Sequence, residues 1–504
     1  MMSIFDEGPP PPCPASFNMA AYVLAAGRRT PEKDALVVLG ADAAERWSFS
    51  MLEHAVRGTA TGLLNLGLER GDRVLMRLGN TVDFPIAYLG AVAVGLIPVP
   101  TSPALTAFET ERVIAEIAPS AVLRDPAVAC ADHSLTINLT RLRSFRDMEP
   151  APYDFDDPNR PAYIIFTSGT SGKPKAVVHA HRACWARQMM FDDWYTLRPD
   201  DRLLHAGSFN WTYTLGTGLL DPWTRGATAM IPAPEAQAAD LPDLITEHDV
   251  TMFAASPGIY RQVLKSEQNF GGPSLRHGLS AGEKLSRRLA DAWRGATGTE
   301  IYEAFGMSEC STFISGAPGR VAAPDSLGRP QAGRRVALLG ESGPVKIQTE
   351  GTIAIHRTDP GLMLEYLNDE TETAGRQQGE WFLTGDQAIM SPDGQITYLG
   401  RNDDMMNAGG IRVSPLEVEA VLAEIPDLLS VAVTDVQLKA DVRVIAAFYT
   451  AATELDETDL RAYVSMKLAR YKQPRLYIHV PDLPVGANGK VRRQALQARF
   501  GGHP

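Results

Sequence analysis

Cysteine is scarce in this chain. Four occur among 504 residues (Cys13, Cys130, Cys184 and Cys310), none in CxxC spacing. That excludes a disulfide framework and a cysteine-rich structural zinc site, and it fits a reducing, cytoplasmic setting. Positive charge is also short. Against 60 Asp and Glu stand 48 Lys and Arg, a net charge of -12. Such a chain is a poor partner for nucleic acid or an anionic membrane, although a local basic pocket for a small anion stays open. No basic stripe or nucleic-acid motif occurs. The opening MMSIFDEGPPPPCPAS lacks the basic and apolar regions of a secretory signal. Long apolar runs are missing apart from residues 84–108, 25 positions without a charge. Pro98, Pro100 and Pro103 break that run, and proline lacks the N–H that a bilayer span must satisfy internally. The expectation is a buried helix near 84–95 followed by a buried strand, with no integral membrane association.

What remains is ordinary for a soluble enzyme: 44% apolar and 21% charged residues. The length exceeds one typical core, so at least two domains are expected. Residues 1–15 are proline-rich and read as an extended arm. From there to about 400, apolar runs alternate with amphipathic stretches. Strands are expected at 73–77, 120–124, 352–356 and 395–399, and helices at 50–66 and 107–117. The alternation implies an α/β fold with mostly parallel sheets. No repeat of fixed period occurs. After a charged break at 400–404 come an expected helix (415–425), strands (430–434 and 442–449), a helix (457–469) and a basic tail. The reading is a large N-terminal region, 1–400, and a small α+β C-terminal unit, 401–504.

The strongest local signal is Tyr163-Ile-Ile-Phe-Thr-Ser-Gly-Thr-Ser-Gly-Lys-Pro-Lys175. An apolar strand runs into small and hydroxylated residues, with two lysines. Gly169 and Gly172 permit tight turns, exposed N–H groups form an anion nest, and lysine supplies charge. It is not a Walker A loop, whose order is GxxxxGKS/T.

This segment resembles the phosphate loop of acyl-adenylate-forming enzymes, the AMP-dependent synthetases and ligases. Further motifs follow in the family's order. Gly282-Glu283-Lys284 resembles the adenine-side segment. Glu303-Ala304-Phe305-Gly306-Met307-Ser308-Glu309 resembles the aromatic-Gly-x-Thr-Glu motif, with Phe305 and Ser308 as mild changes. Trp381-Phe-Leu-Thr-Gly-Asp386 resembles the Thr-Gly-Asp motif. Gly400-Arg401-Asn-Asp403-Asp, Gly409-Gly410-Ile-Arg412 and Pro415-x-Glu417 resemble the hinge. Pro484-Val-Gly-Ala-Asn-Gly-Lys490 resembles the C-terminal lysine motif. Together they span residues 163 to 490. The residues most resemble the acyl- and aryl-CoA ligase branch.

The resemblance implies a large multi-sheet adenylate-forming domain with a small mobile lid. It implies ATP, Mg²⁺ and CoA, a carboxylic acid substrate, and a homodimer as candidate assembly. Thr167, Ser168, Gly169, Thr170, Ser171, Gly172 and Lys175 would hold the β- and γ-phosphates. Ser308 would donate to the α-phosphate. Glu309 would ligate Mg²⁺, a hard cation that prefers oxygen; out of context it reads as a solvated carboxylate. Gly282, Glu283, Lys284, Glu303, Ala304 and Phe305 would lie at the adenine. Phe305 can equally be core. Asp386 would accept from both ribose hydroxyls, and Arg401 would add a second ribose contact. Lys490 would bridge the reacting carboxylate and the α-phosphate, and Arg412 would help bind phosphate. Asp403 is the expected hinge. Rotation there would withdraw Lys490 and bring in Gly409 and Gly410, leaving a channel for the CoA thiol. Some positions depart from the family. Ala176 replaces a glycine, Asn407 stands where many members have lysine, and Val485, Gly486 and Asn488 loosen the lysine motif.

The acyl pocket is expected from Phe209, Asn210, Trp211, Tyr213, Gly306 and Met307. It is aromatic with few charges, which suits an apolar acid. Acetate-specific relatives carry tryptophan at the Gly306 position, so the acid should be larger than acetate. Amino-acid-activating relatives use a Phe-Asp pair where this chain has Phe209-Asn210, and an ammonium without a carboxylate is poorly compensated. Asn210 could bind a hydroxyl of an aryl acid or only cap local backbone. The stretch 98–106 is similar to that of benzoate-type ligases, so an aryl or medium-chain acid is expected. His179 and His181 read as structural, and Cys310 has no evident base beside it. Two alternatives to a CoA ligase remain: an adenylation enzyme that loads a carrier protein, and a decayed nucleotide-binding protein.

Overall fold

The computed structural model describes the chain except for residues 41–43, 169–173, 266–268, 283, 284, 286, 325, 402–405, 409, 410, 414, 440, 441, 485–490, 492 and 501–504. Six strands form the parallel centre of a nine-stranded sheet: Asp34–Leu39, Thr228–Pro232, Arg202–His205, Met252–Ala255, His277–Ala281 and Ile301–Met307. Antiparallel strands Ala44–Ser48 and Ser311–Ser315 flank them. The first five of these are short, mostly apolar runs buried on both faces, as parallel strands with crossover helices must be, while Ile301–Met307 is largely half-buried. A second, all-parallel sheet holds Ile97–Pro100, Arg73–Arg77, Ala121–Arg124 and Thr136–Asn138.

The charge-free run 84–108 becomes the wholly buried helix Asp83–Ala93 and the buried strand Ile97–Pro100. Asp83 starts that helix with its carboxylate bound by Arg143 and Arg146. The helix packs on Phe49–Leu64, and Gly90 permits the approach: a Cβ there would sit 2.9 Å from the Val56 carbonyl. Among the described residues no helix is long and apolar enough to cross a membrane.

Parallel pairing does not extend through the whole large region. Arg335–Gly340, Glu350–His356 and Trp381–Met390 form an antiparallel seven-stranded sheet, with Ile396–Arg401 pairing Trp381–Met390. Between the last two of the three only the six-residue helix Glu370–Gly375 intervenes, short of a full crossover, so antiparallel pairing is the short route. The proline-rich start is extended but docked. Ile4–Asp6 joins that sheet beside Arg335–Gly340, and the Trp185 indole donates to the Pro11 carbonyl.

Beyond residue 400 the chain builds its own core around Val418, Val433, Ile445, Tyr449 and Val464. Leu428–Lys439 and Val442–Ala451 pair antiparallel, and Leu476–His479 adds in parallel. The helices are Pro415–Leu422, Glu457–Lys467 and Arg493–Phe500. The expected basic tail is therefore partly a helix: Arg493 binds Glu419, and Leu496 is buried against the hairpin.

Candidate active site

Five central parallel strands end at one cavity of about 1160 Å³. Gly207, Ala233, Ser256, Gly282 and Phe305 mark where each strand delivers the chain. Open α/β sheets present their ligand crevice at these carboxyl ends, because the crossover loops diverge there. The second sheet contributes Pro100 to Ser102, and the region beyond 400 contributes Met406, Ile411, Glu417, Tyr471 and Lys472.

Thr167, Gly282, Glu303, Ala304, Phe305, Ser308 and Asp386 all line this cavity. Asp386 is 4% exposed and accepts a 3.1 Å hydrogen bond from the Tyr398 hydroxyl. Strand pairing sets it opposite Arg401 in the backbone. Glu303 accepts from the Leu285 N–H at 3.0 Å. Phe305 is half-buried and packs against Phe313 and Tyr398, so core and cavity roles coexist. Ser308 is fixed through its carbonyl, which lies 2.8 Å from His179 Nε2.

Glu309 sits just behind, 9% exposed, and accepts a 2.6 Å hydrogen bond from the Tyr366 hydroxyl. Burial first, and the Glu309 carboxylate next, push the Tyr366 phenol well above its usual range, so it stays protonated and donates. Lys175 does not line the cavity. It pairs with Glu372 and lies 5.1 Å from the Tyr366 ring centre. Burial opposes ionisation of Glu372, but Lys175 and Arg376 together hold its carboxyl below the ordinary value. Neither Tyr366 nor Glu372 carries a sequence signal; only the fold brings residues 366 and 372 to 309 and 175.

Asn210, Trp211, Tyr213, Gly306 and Met307 line the aromatic side of the cavity. Phe209 does not. Its side chain is fully buried in the core, 5.3 Å from Phe84, while its N–H donates to Asn80. Asn210 accepts from the Ser208 hydroxyl at 2.6 Å. Gly306 carries a further constraint. A Cβ there would lie 2.2 Å from the Ser311 carbonyl oxygen, so this glycine also serves close strand approach.

Behind this wall lies a buried ion pair. Arg187 Nε and Nη2 each contact Asp221 at 2.7 Å, Nη1 donates to Ser311, and the Tyr195 hydroxyl reaches Asp221 at 2.8 Å. Burial opposes the Arg187 charge, but Asp221 outweighs it and holds the guanidinium protonated. Gly216 makes room, since a Cβ would lie 2.3 Å from the guanidinium carbon.

Across the cavity, Lys472 lies between Glu417 at 2.8 Å and Glu109 at 3.2 Å, all three buried. Glu109 is preset by its own helix: it forms a capping box with Thr106. The two histidines of the His179-Ala-His181 stretch have separate partners, Ser308 and the Met19 N–H. Cys310 is fully buried, and burial pushes its thiol well above the usual range, unlike a nucleophile. Gly169, Thr170, Ser171, Gly172, Glu283, Lys284, Asp403, Gly409, Gly410 and Lys490 lie outside the described residues, as do the side chains of Ser168, Arg401 and Arg412.

Known proteins give the same picture. The AMP-binding enzyme family matches residues 23–367, and the AMP-binding enzyme C-terminal domain matches residues 417–490. The benzoate–CoA ligase of Thauera aromatica is 30% identical over 467 residues, covering 86% of this chain and 87% of the relative. A crystal structure of a benzoate CoA ligase from Burkholderia xenovorans LB400 is 27% identical with a TM-score of 0.70, covering 95% of this chain and all of that one (100%). The anthranilate CoA ligase AuaEII, solved with anthranoyl-AMP, is 25% identical with a TM-score of 0.71, covering 97% of this chain and 98% of that one. The fold that carries this cavity, and the family match over both parts of the chain, make this chain a member of the AMP-binding enzyme family.

Proposed function

We propose that the chain is an ATP-dependent acid–CoA ligase for an aryl or medium-chain acid, with residues 1–400 as the adenylating domain and 401–504 as a lid. One observation carries this reading. A single cavity joins nucleotide-type groups (Glu303, Phe305, Asp386) to an aromatic wall (Trp211, Tyr213, Met307), with Ser308 in the same lining.

In the first half-reaction an acid oxygen bonds to the α-phosphorus, and the bond to the pyrophosphate oxygen breaks. Charge builds on the phosphoryl oxygens, so fixed donors must already face them. Ser308 donates to the α-phosphate from a turn held by His179. The loop 167–175 binds the outer phosphates, Asp386 and Arg401 take the ribose, and Glu303, with residues 282–284, frames the adenine beside Phe305. Arg412 and Lys490 neutralise charge from the lid. Mg²⁺ suits this donor set: Glu309 offers a carboxylate oriented by Tyr366, and Mg²⁺ is commonly held by one or two carboxylates plus substrate phosphates. When bound, it would neutralise phosphate charge.

In the second half-reaction the lid turns about Asp403, Lys490 withdraws, and Gly409 and Gly410 leave a channel for the CoA thiol. The sulfur attacks the acyl carbonyl and AMP leaves. Four free cysteines support a reducing, cytoplasmic location, and a homodimer is the proposed assembly. The test is acid-dependent pyrophosphate release from ATP and Mg²⁺, over benzoates, arylalkanoates and C2–C12 fatty acids, with and without CoA. Release that rises with CoA supports the reading. Release indifferent to CoA, without thioester, points to carrier-protein loading and overturns it.

A further inference from the structure

Behind the acid-side wall is a second, much smaller cavity of about 20 Å³, walled by Tyr88, His179 and Arg187. Thr212, Ser308 and Ser311 line both this space and the main cavity, so the two share one wall. The space holds about one water-sized group.

Its polarity is set by what its walls leave unpaired. The Tyr88 hydroxyl and His179 Nδ1 are both buried, and neither has a hydrogen-bond partner. The tautomer of His179 follows from its other nitrogen. Nε2 faces the Ser308 carbonyl at 2.8 Å, an acceptor, so Nε2 carries the proton and Nδ1 is a bare acceptor. Burial pushes this imidazole down to about 4, which keeps it neutral near pH 7. Arg187 does not make the space an anion site, because its charge is matched by Asp221 and it already donates to Ser311. Thr212 makes no side-chain hydrogen bond among the described contacts, so turning it aside breaks none. An unpaired buried acceptor is costly, and a donor of the right size relieves that cost.

We propose that this cavity is a subsite of the acid pocket, and that it receives one hydrogen-bond donor of the substrate, a ring hydroxyl or amino group, on His179 Nδ1 and Tyr88 Oη. The proposal rests on the ligase reading above and narrows its substrate class to aromatic acids bearing a small donor substituent. Water occupies the space when the acid has none. A carboxylate or nitro substituent is too large for it.

The experiment measures kcat/KM for thioester formation by the full-length enzyme. The acids are benzoate, its three hydroxy and three amino isomers, and the methyl and fluoro acids matched by position. At one ring position the donor-bearing acid should exceed its methyl and fluoro counterparts by at least about tenfold. In Tyr88→Phe that ratio should fall several-fold towards one. Turnover of these acids without a donor preference at any position would overturn the subsite and leave a water site only. So would a preference that survives Tyr88→Phe unchanged. Silence with every benzoate while a C6–C12 fatty acid is converted would overturn the subsite alone; silence with the fatty acids as well would remove the parent ligase reading. The wild-type panel decides even if the variant folds poorly.

Discussion

The cavity has two unlike walls. On the large-domain side each group is held by a neighbour in the same domain: Ser308 by His179, Glu309 by Tyr366, Asp386 by Tyr398, and Ser311 by the Arg187–Asp221 pair. On the side of the small C-terminal domain, Lys472 shares its charge between Glu417 of its own domain and Glu109 of the opposite helix, Ala107–Ile117. The rotation proposed above would break the Glu109 contact and leave the Glu417 contact in place. The first wall is held within one domain; at the second, the proposed rotation would remove one partner without stranding the ammonium.

Acid should separate the two parts most. His179, His181, His205 and His277 all belong to the large domain, and burial pushes them down to about 4, 3, 3 and 3. The unfolded chain takes up their protons first. The stability they hold is therefore complete above about pH 6.5 and is lost as pH falls through 6.5 towards about 4 for His179 and about 3 for the other three. Each loses about 2 kcal/mol by pH 5. Hydrogen exchange should show the large domain opening in that window ahead of the small C-terminal domain. Simultaneous opening would break the comparison.

Asp221→Asn should cost about 3–5 kcal/mol, because it leaves a buried guanidinium uncompensated. Thermal or denaturant unfolding would read this as a lower midpoint. An unshifted midpoint would mean that the pair is not structural. Lys490→Ala should slow adenylate formation by about 10²–10³-fold, on the scale of a lost transition-state donor. It should spare thioester formation from supplied acyl-adenylate, and equal loss in both assays would remove the division of labour. Tyr366→Phe should raise the Mg²⁺ requirement roughly tenfold, since groups that orient a ligand tune its metal affinity. Glu109→Gln should have the smallest effect, about 1 kcal/mol. It should change the ratio of the two half-reaction rates more than the unfolding midpoint.

Much of this was legible in the sequence because its signals are local. The helix 107–117 coincides with its expected bounds, since Thr106 and Glu109 announce its start and the apolar face has helical spacing. The buried helix and strand of residues 84–100 were readable from missing charge and placed prolines. The antiparallel sheet after residue 335 was not, because alternation of strands and helices was extended past the last crossover helix. Nor was the C-terminal helix Arg493–Phe500, whose arginines read as solvated until Arg493 met Glu419 across 74 positions. In the site, the strand-end residues 303–308 were readable as a run. The groups that hold them were not, because His179, Tyr366 and Tyr398 act through contacts that only the fold creates. Gly306 lines the cavity, but the close approach of the neighbouring strand, which also demands a glycine there, was not legible.

The most direct measurement is a single turnover with a labelled hydroxy- or aminobenzoate, ATP, Mg²⁺ and CoA, quenched over time and resolved into acid, acyl-adenylate and thioester. The account predicts that acyl-adenylate rises first and then decays into acyl-CoA with one AMP released per thioester. Adenylate that accumulates in the presence of CoA without giving thioester would contradict it.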